Sequence, residues 1–95
     1  MKRITLTNLH KATTREVFDY VKNHLLTQNE KSADDKGACL YKNKQGLKCA
    51  AGCLITTRQY SAQHEGANWG HLTWHRIFPD AHTELIQELQ IIHDN

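Results

Sequence analysis

The sequence predicts a single α+β domain in which N- and C-terminal amphipathic helices pack on a short antiparallel β-hairpin, with one or two short helices between. Apolar residues at helical spacing near both ends of the chain predict the outer helices, and a glycine between two short apolar runs predicts the hairpin. A chain of 95 residues has room for one hydrophobic core. Residues 1–95 are therefore predicted to be one domain.

The N-terminal helix is predicted over Thr14–Gln28 because Thr13 stands three residues before Glu16, the spacing of a capping box. Its apolar residues recur every three or four positions and form one stripe: Val17, Phe18, Val21, Leu25 and Leu26. Residues 1–12 alternate apolar and polar side chains in part. They are predicted to be either an edge strand or a loosely attached arm.

The hairpin is predicted within Gly37–Ile55, where KNKQG joins the apolar runs ACLYKN and LKCAAGCLI. Gly46 can supply the positive φ that a tight hairpin turn requires. Between the hairpin and the C-terminal helix, Trp69, Leu72 and Ile77 have helical spacing and predict a short helix before Pro79.

The C-terminal helix is predicted from Asp80 to His93, because proline suits a first-turn position and an acidic residue is favourable near a helix N-terminus. Its apolar stripe consists of Leu85, Ile86, Leu89 and Ile92.

Charge and hydropathy exclude several classes of partner. Twelve basic and ten acidic residues give a net charge of +2, and the two signs are interspersed without a basic stripe, so no nucleic-acid partner is expected. No apolar run approaches the roughly 20 residues that cross a bilayer, and the N-terminal residues lack the apolar core of a signal peptide. We therefore expect a cytoplasmic protein without a membrane partner, with its three cysteines as free thiols.

Two clusters of residue types could carry chemistry. Cys49, Cys53, His71 and His75 are candidate zinc ligands, because histidines four apart on a helix can bind one ion. Cys39 could substitute for one of the cysteines. The alternative, which we favour, is that the cysteines are small apolar residues of the core and that no cofactor is bound.

A thiol-dependent enzyme is the second alternative. Cys53 would be its nucleophile if a helix began after Gly52, and the candidate bases are His64, His71 and His75. With seven histidines in the chain, a cysteine followed by a histidine is expected by chance, so we assign no catalytic residue.

Aromatic residues suggest a binding surface instead. Aromatic side chains are enriched in binding hot spots, and a domain this small also needs large rings in its core. The candidate residues for binding a partner or ligand are Trp69, Trp74, His71, His75 and Tyr60.

A distinctive pattern runs from HLLTQ through CLY and GLKCAAGCLI to a leucine-containing C-terminal helix. In this pattern the chain resembles a family of small bacteriophage and bacterial proteins, over roughly residues 16 to 94. The matching positions are His24–Gln28, Ser32–Asp35, Cys39, Tyr41, Gly46–Ile55, Tyr60, Glu65, Gly66, His93 and Asp94. After Ile55 the chain has TTRQ where the family has a P-D-E-like turn.

The resemblance implies a phage or prophage origin and an action by binding, and it brings no catalytic activity with it. The function we expect is therefore that of an accessory protein that engages or inhibits a host protein or sequesters a small-molecule ligand. The alternatives are a zinc-stabilised interaction module and a thiol-dependent enzyme. A homo-oligomer is an alternative to a monomer, since self-association would add stability to a small core.

Overall fold

The computed structural model describes residues 3–36 and 40–94, with side chains through Ile92. These residues contain the helices α1 (Thr14–Gln28), α2 (Trp69–Trp74) and α3 (Thr83–Asp94). Single turns of 3₁₀ helix lie at Leu9–Lys11, Gly52–Leu54 and Ala62–His64. None of the described helices combines the length and the apolar character needed to cross a membrane.

The predicted α+β fold with a β-hairpin is wrong, because residues 3–36 and 40–94 contain isolated bridges but no sheet. Lys42 and Lys48 form one antiparallel bridge around the expected turn, in which Gly46 has φ 85°. The pairing stops there, since the chain enters a turn at Ala50 and then the 3₁₀ helix Gly52–Leu54. Alanine and glycine are poor strand formers, and two strands without a third are only marginally stable. Gly37–Cys39 lie outside the described residues.

The prediction for α1 is confirmed. The Thr13 hydroxyl accepts from the backbone N–H of Glu16 at 3.1 Å, and the Glu16 carboxylate accepts from that of Thr13 at 2.8 Å. The helix ends at Asn29, which takes the left-handed conformation and bonds to Leu25. Of the predicted stripe, Val17 and Val21 are buried and Leu25 is partly buried against the core, while Phe18 and Leu26 are exposed.

Residues 3–12 form turns and a 3₁₀ helix, and they are neither a strand nor a detached arm. Ile4 and Leu9 are buried, and the backbone N–H of Leu6 donates to the carbonyl of Leu54 at 3.0 Å. This hydrogen bond attaches the N-terminal segment to the middle of the chain.

The segment Cys49–Ile55, called the buried segment below, has all of its residues in the interior. Its backbone groups therefore need protein partners. Some are local: Cys53 donates to the carbonyl of Cys49 at 3.0 Å, and Ile55 donates to that of Gly52 at 3.0 Å. Others come from other parts of the chain, because the side chain of Gln90 in α3 accepts from the backbone of Ala51 at 2.9 Å.

Side chains of α1 contact Lys48, the residue before the buried segment. The Gln28 amide donates to the carbonyl of Lys48 at 2.8 Å and accepts from its backbone N–H at 2.9 Å. A ring nitrogen of His24 lies 3.0 Å from the same carbonyl. The ammonium of Lys48 donates to the carbonyl of Ile55 at 2.9 Å, so Lys48 connects α1 to both ends of the segment.

Helix α3 begins at Thr83, three residues later than predicted. His82 has φ 57°, which is incompatible with a helix running through it, and a ring nitrogen of His82 lies 2.7 Å from the carbonyl of Ala12. The Thr83 hydroxyl donates to Asp80 at 2.7 Å. Of the predicted stripe, Ile86 is buried and Leu85 and Leu89 pack against the core, while Ile92 is exposed.

Gly52 should be irreplaceable, because a Cβ at this position would lie 2.0 Å from the backbone oxygen of Tyr41. We expect Gly52→Ala to lower the free energy of unfolding by about 3 kcal/mol or more, since backbone must move to relieve the clash. The measurement is urea unfolding followed by circular dichroism. The matched control is Gly46→Ala, where no atom of the described residues lies within 4 Å of the added Cβ and only the positive φ costs about 1–2 kcal/mol. Equal losses in the two variants would contradict the close backbone contact.

Candidate functional site

Four of the five predicted binding residues lie in or directly after α2, on a buried face and an exposed face. Its first turn is capped by Asn68, whose side chain accepts from the backbone of His71 at 2.8 Å. Trp69, Leu72 and Thr73 point inward and are buried. His71 and Trp74 are exposed in α2, and His75, which caps its C-terminus, is exposed on the same face at the i, i+3, i+4 spacing. We call these three residues together with Ile77 the outward face of α2.

The outward face includes two exposed apolar side chains. Trp74 is 83% exposed and Ile77 is 51% exposed. The rings of His71 and His75 lie beside each other, with their centroids 4.4 Å apart. The structure thus brings three of the five predicted binding residues together in solvent.

The turn after α2 determines the placement of Ile77. Arg76 takes the left-handed conformation at φ 59°, the backbone N–H of Ile77 donates to the carbonyl of Leu72 at 2.9 Å, and that of Arg76 donates to Thr73 at 3.0 Å. This pair of bonds is a Schellman motif, with arginine where glycine is usual. The motif ends the helix and turns the chain back toward the core, where Phe78 is buried. Sequence reasoning took Ile77 for part of the apolar helix pattern and missed its exposure.

Trp69 is a core residue. It is 2% exposed, its ring centroid lies 4.9 Å from that of Phe78, and it meets Tyr41 edge to face at 6.3 Å. These ring contacts fix α2 to the core and hold its other face outward. Within the described residues, the indole N–H of Trp69 has no hydrogen-bond partner.

Tyr60 takes part in a hydrogen-bond cluster centred on Glu65. The Tyr60 hydroxyl donates to the Glu65 carboxylate at 2.8 Å, and the same carboxylate accepts from the backbone N–H groups of Tyr41 at 3.0 Å and Lys42 at 3.3 Å. The Lys42 ammonium lies 5.6 Å from the centre of the Tyr60 ring. The contacts made by Tyr60 therefore join the segment around Glu65 to the chain entering the buried segment.

The two described cysteines are buried. The Cys53 thiol donates to the carbonyl of Ala50 at 3.1 Å, and the Cys49 sulfur accepts from the backbone N–H of Gly52 at 3.3 Å. Burial raises the pKa of Cys53 to about 12, although the Lys48 ammonium and a backbone hydrogen bond oppose this shift. A neutral, enclosed thiol is a poor nucleophile, so this geometry does not favour the thiol-enzyme alternative. Cys39 lies outside the described residues.

The four candidate zinc ligands do not form one site. Cys49 and Cys53 lie in the core, whereas His71 and His75 are on the outward face of α2. Among the residues that the structure describes, no three His, Cys, Asp or Glu side chains come close enough to hold a metal ion.

A cleft of about 460 Å³ opens on the other side of Trp69, a size within the range of small-molecule sites. It is bounded by residues from three parts of the chain: Tyr41, Cys49, Glu65, Gly66, Ala67, Asn68, Trp69, Gln87, Gln90 and Ile91. The polar side chains Gln87 and Gln90 were missed in the sequence. Their i, i+3 spacing on the C-terminal helix was the available signal.

Replacing Tyr60 with Phe should lower the free energy of unfolding at pH 7 by about 1–2 kcal/mol, because the Glu65 carboxylate loses a hydroxyl donor. Burial, followed by the hydrogen bond to Glu65, raises the pKa of Tyr60 from 10.0 to about 12. The contribution of Tyr60 is therefore complete below pH 10 and is lost as the pH rises toward 12, since the unfolded phenol ionises first. Urea unfolding between pH 7 and 12 should show a shallower alkaline decline in Tyr60→Phe than in the native protein. Identical slopes would refute the assignment.

Cys49 and Cys53 should be alkylated by iodoacetamide at least about tenfold more slowly in native buffer than in denaturant, because labelling requires local opening. Fragment mass spectrometry assigns the label to each cysteine. Native labelling of Cys53 at the unfolded rate, with a midpoint near the ordinary thiol pKa of about 8.5, would contradict its enclosure.

No protein-family model, curated protein or solved structure was found to match this chain. The resemblance to small phage and bacterial proteins therefore stays a prediction. Functional assignment depends on the two features described above, the outward face of α2 and the cleft beside Trp69.

Proposed function

We propose that this protein acts by binding a protein partner through the outward face of α2. The observation that carries the proposal is the 83% exposure of Trp74, followed three residues later by Ile77, which is 51% exposed. Indole is the side chain most enriched in binding hot spots, because it can bury a large apolar area and also donate a hydrogen bond. Neighbouring exposed apolar side chains on a small protein are typical of an interaction site.

The chemistry of the face defines the partner. Trp74 and Ile77 would enter an apolar pocket, and the imidazoles of His71 and His75 would meet hydrogen-bonding groups at its rim. The inward contacts of Trp69 hold the helix in place before binding, which reduces the ordering that binding requires. The resemblance to small phage proteins points to a host protein in the bacterial cytoplasm as the partner.

Two alternatives gain no support from the described residues. The thiol enzyme would need an accessible thiolate, and Cys53 is enclosed with a raised pKa. The zinc-stabilised module would need a closed set of ligands, and the candidate cysteines and histidines are separated between the core and the surface.

Site-specific photo-crosslinking tests the proposal. A benzophenone amino acid placed at position 74 should crosslink one host protein in bacterial lysate, whereas the same probe at the exposed Lys22 of α1 should not. With that protein purified, Trp74→Ala should weaken binding by at least about 30-fold, as loss of a 2 kcal/mol hot spot requires. Lys22→Ala should bind like the native protein. Equal crosslinking from both positions, or unchanged affinity in Trp74→Ala, would refute the outward face as the site.

The cleft beside Trp69 favours a second candidate function, the sequestration of a small polar ligand. Aromatic rings and the amides of Gln87 and Gln90 both border it, a mixture typical of small-molecule sites. Heat-released ligand from the native protein, profiled by mass spectrometry, should be depleted in Gln87→Met, which keeps side-chain length but removes the amide. A profile identical in both proteins would argue against ligand binding in the cleft.

A further inference from the structure

Two imidazoles on the outward face of α2 have the geometry of a chelating pair. His71 and His75 are separated by one helical turn, are both exposed, and have ring centroids 4.4 Å apart with an angle of 50° between the ring planes. Within the described residues, neither imidazole is hydrogen-bonded or ion-paired to another side chain. Both rings are therefore available to an external ligand.

The distance suits one transition-metal ion. A metal bound by imidazole lies about 2.0–2.1 Å from each nitrogen, so two nitrogens on one ion are at most about 4 Å apart. Rings whose centroids are 4.4 Å apart reach this separation by rotating about their side-chain bonds, and exposure leaves them free to do so. Two histidines four residues apart on a helix are the pairing that helical zinc sites use.

We propose that His71 and His75 form a surface site for a divalent transition-metal ion, with two protein ligands and the remaining coordination positions open. Imidazole nitrogens favour Cu²⁺, Ni²⁺ and Zn²⁺, and they disfavour Ca²⁺ and Mg²⁺, which require oxygen ligands. With two protein ligands, the site differs from a structural zinc centre, which uses four. Water or a group from another molecule occupies the open positions. The site does not depend on the protein partner proposed above.

Metal binding at this site can be followed through the fluorescence of Trp74. Trp74 stands between the two histidines in the sequence and is exposed on the same face, so a bound Cu²⁺ ion quenches its fluorescence. The affinity order should be Cu²⁺ above Ni²⁺, following the general order for nitrogen ligands.

Titration of untagged protein with Cu²⁺ and Ni²⁺ in a non-coordinating buffer tests the proposal, with calorimetry for affinity and fluorescence for Cu²⁺. The native protein should bind one ion through this pair. His71→Ala and His75→Ala should each weaken binding at least about tenfold, because a chelating second ligand acts at high effective concentration. The matched control is His10→Ala, which removes an exposed histidine outside α2 and should leave the affinity unchanged.

Two-dimensional NMR locates the ion independently. Substoichiometric Cu²⁺ should broaden the backbone signals of α2 first in the native protein and not in His71→Ala. Circular dichroism confirms that each variant is folded, which is expected because both side chains are exposed. Affinity unchanged in both α2 variants, or an equal loss in His10→Ala, would overturn the proposal.

Discussion

The buried segment Cys49–Ile55 is the constraint on which the rest of the fold depends. A backbone that runs through the interior must have its polar groups satisfied there, and a hairpin would have left one edge unpaired. The chain instead turns tightly on itself and recruits Leu6 from the N-terminal segment and Gln90 from α3 as partners. Each of these distant contacts positions an element around the same centre. Cys49 and Cys53 are part of this interior packing, and their sulfur atoms hydrogen-bond to the backbone of the segment itself.

Helix α2 connects that core to an exposed surface. Its inward residue Trp69 packs against the rings of Tyr41 and Phe78, which fixes the orientation of the helix and leaves its outward side chains in solvent. The Schellman turn at Arg76 adds Ile77 to the exposed group while returning Phe78 to the interior. The indole of Trp74 and the imidazoles of His71 and His75 are exposed on the same face.

Local signals in the sequence predicted local structure well. The capping box at Thr13 and Glu16 defined α1, because both of its hydrogen bonds form within one turn. The hairpin failed because the conformation of residues 49–55 is determined by Gln90 and Leu6, far away in sequence. Trp69 and Trp74 could not be separated by residue type alone, since which tryptophan faces inward depends on what packs against α2. His24, Gln28 and Glu65 hydrogen-bond to the backbone of Lys48 or Tyr41, at least 20 residues away in sequence, so no local pattern could predict these contacts.

Because α2 is short, substitutions in the core also change the positions of its exposed side chains. A helix of six residues is less than about two turns long. A substitution that changes the packing of Trp69 would therefore also change the orientation of Trp74, five positions later. For the binding role proposed for this face, changes in recognition would then also arise from mutations in the core. Variants selected for altered specificity would be found in the core as well as at the surface, and surface residues alone would give an incomplete record of how this molecule adapts.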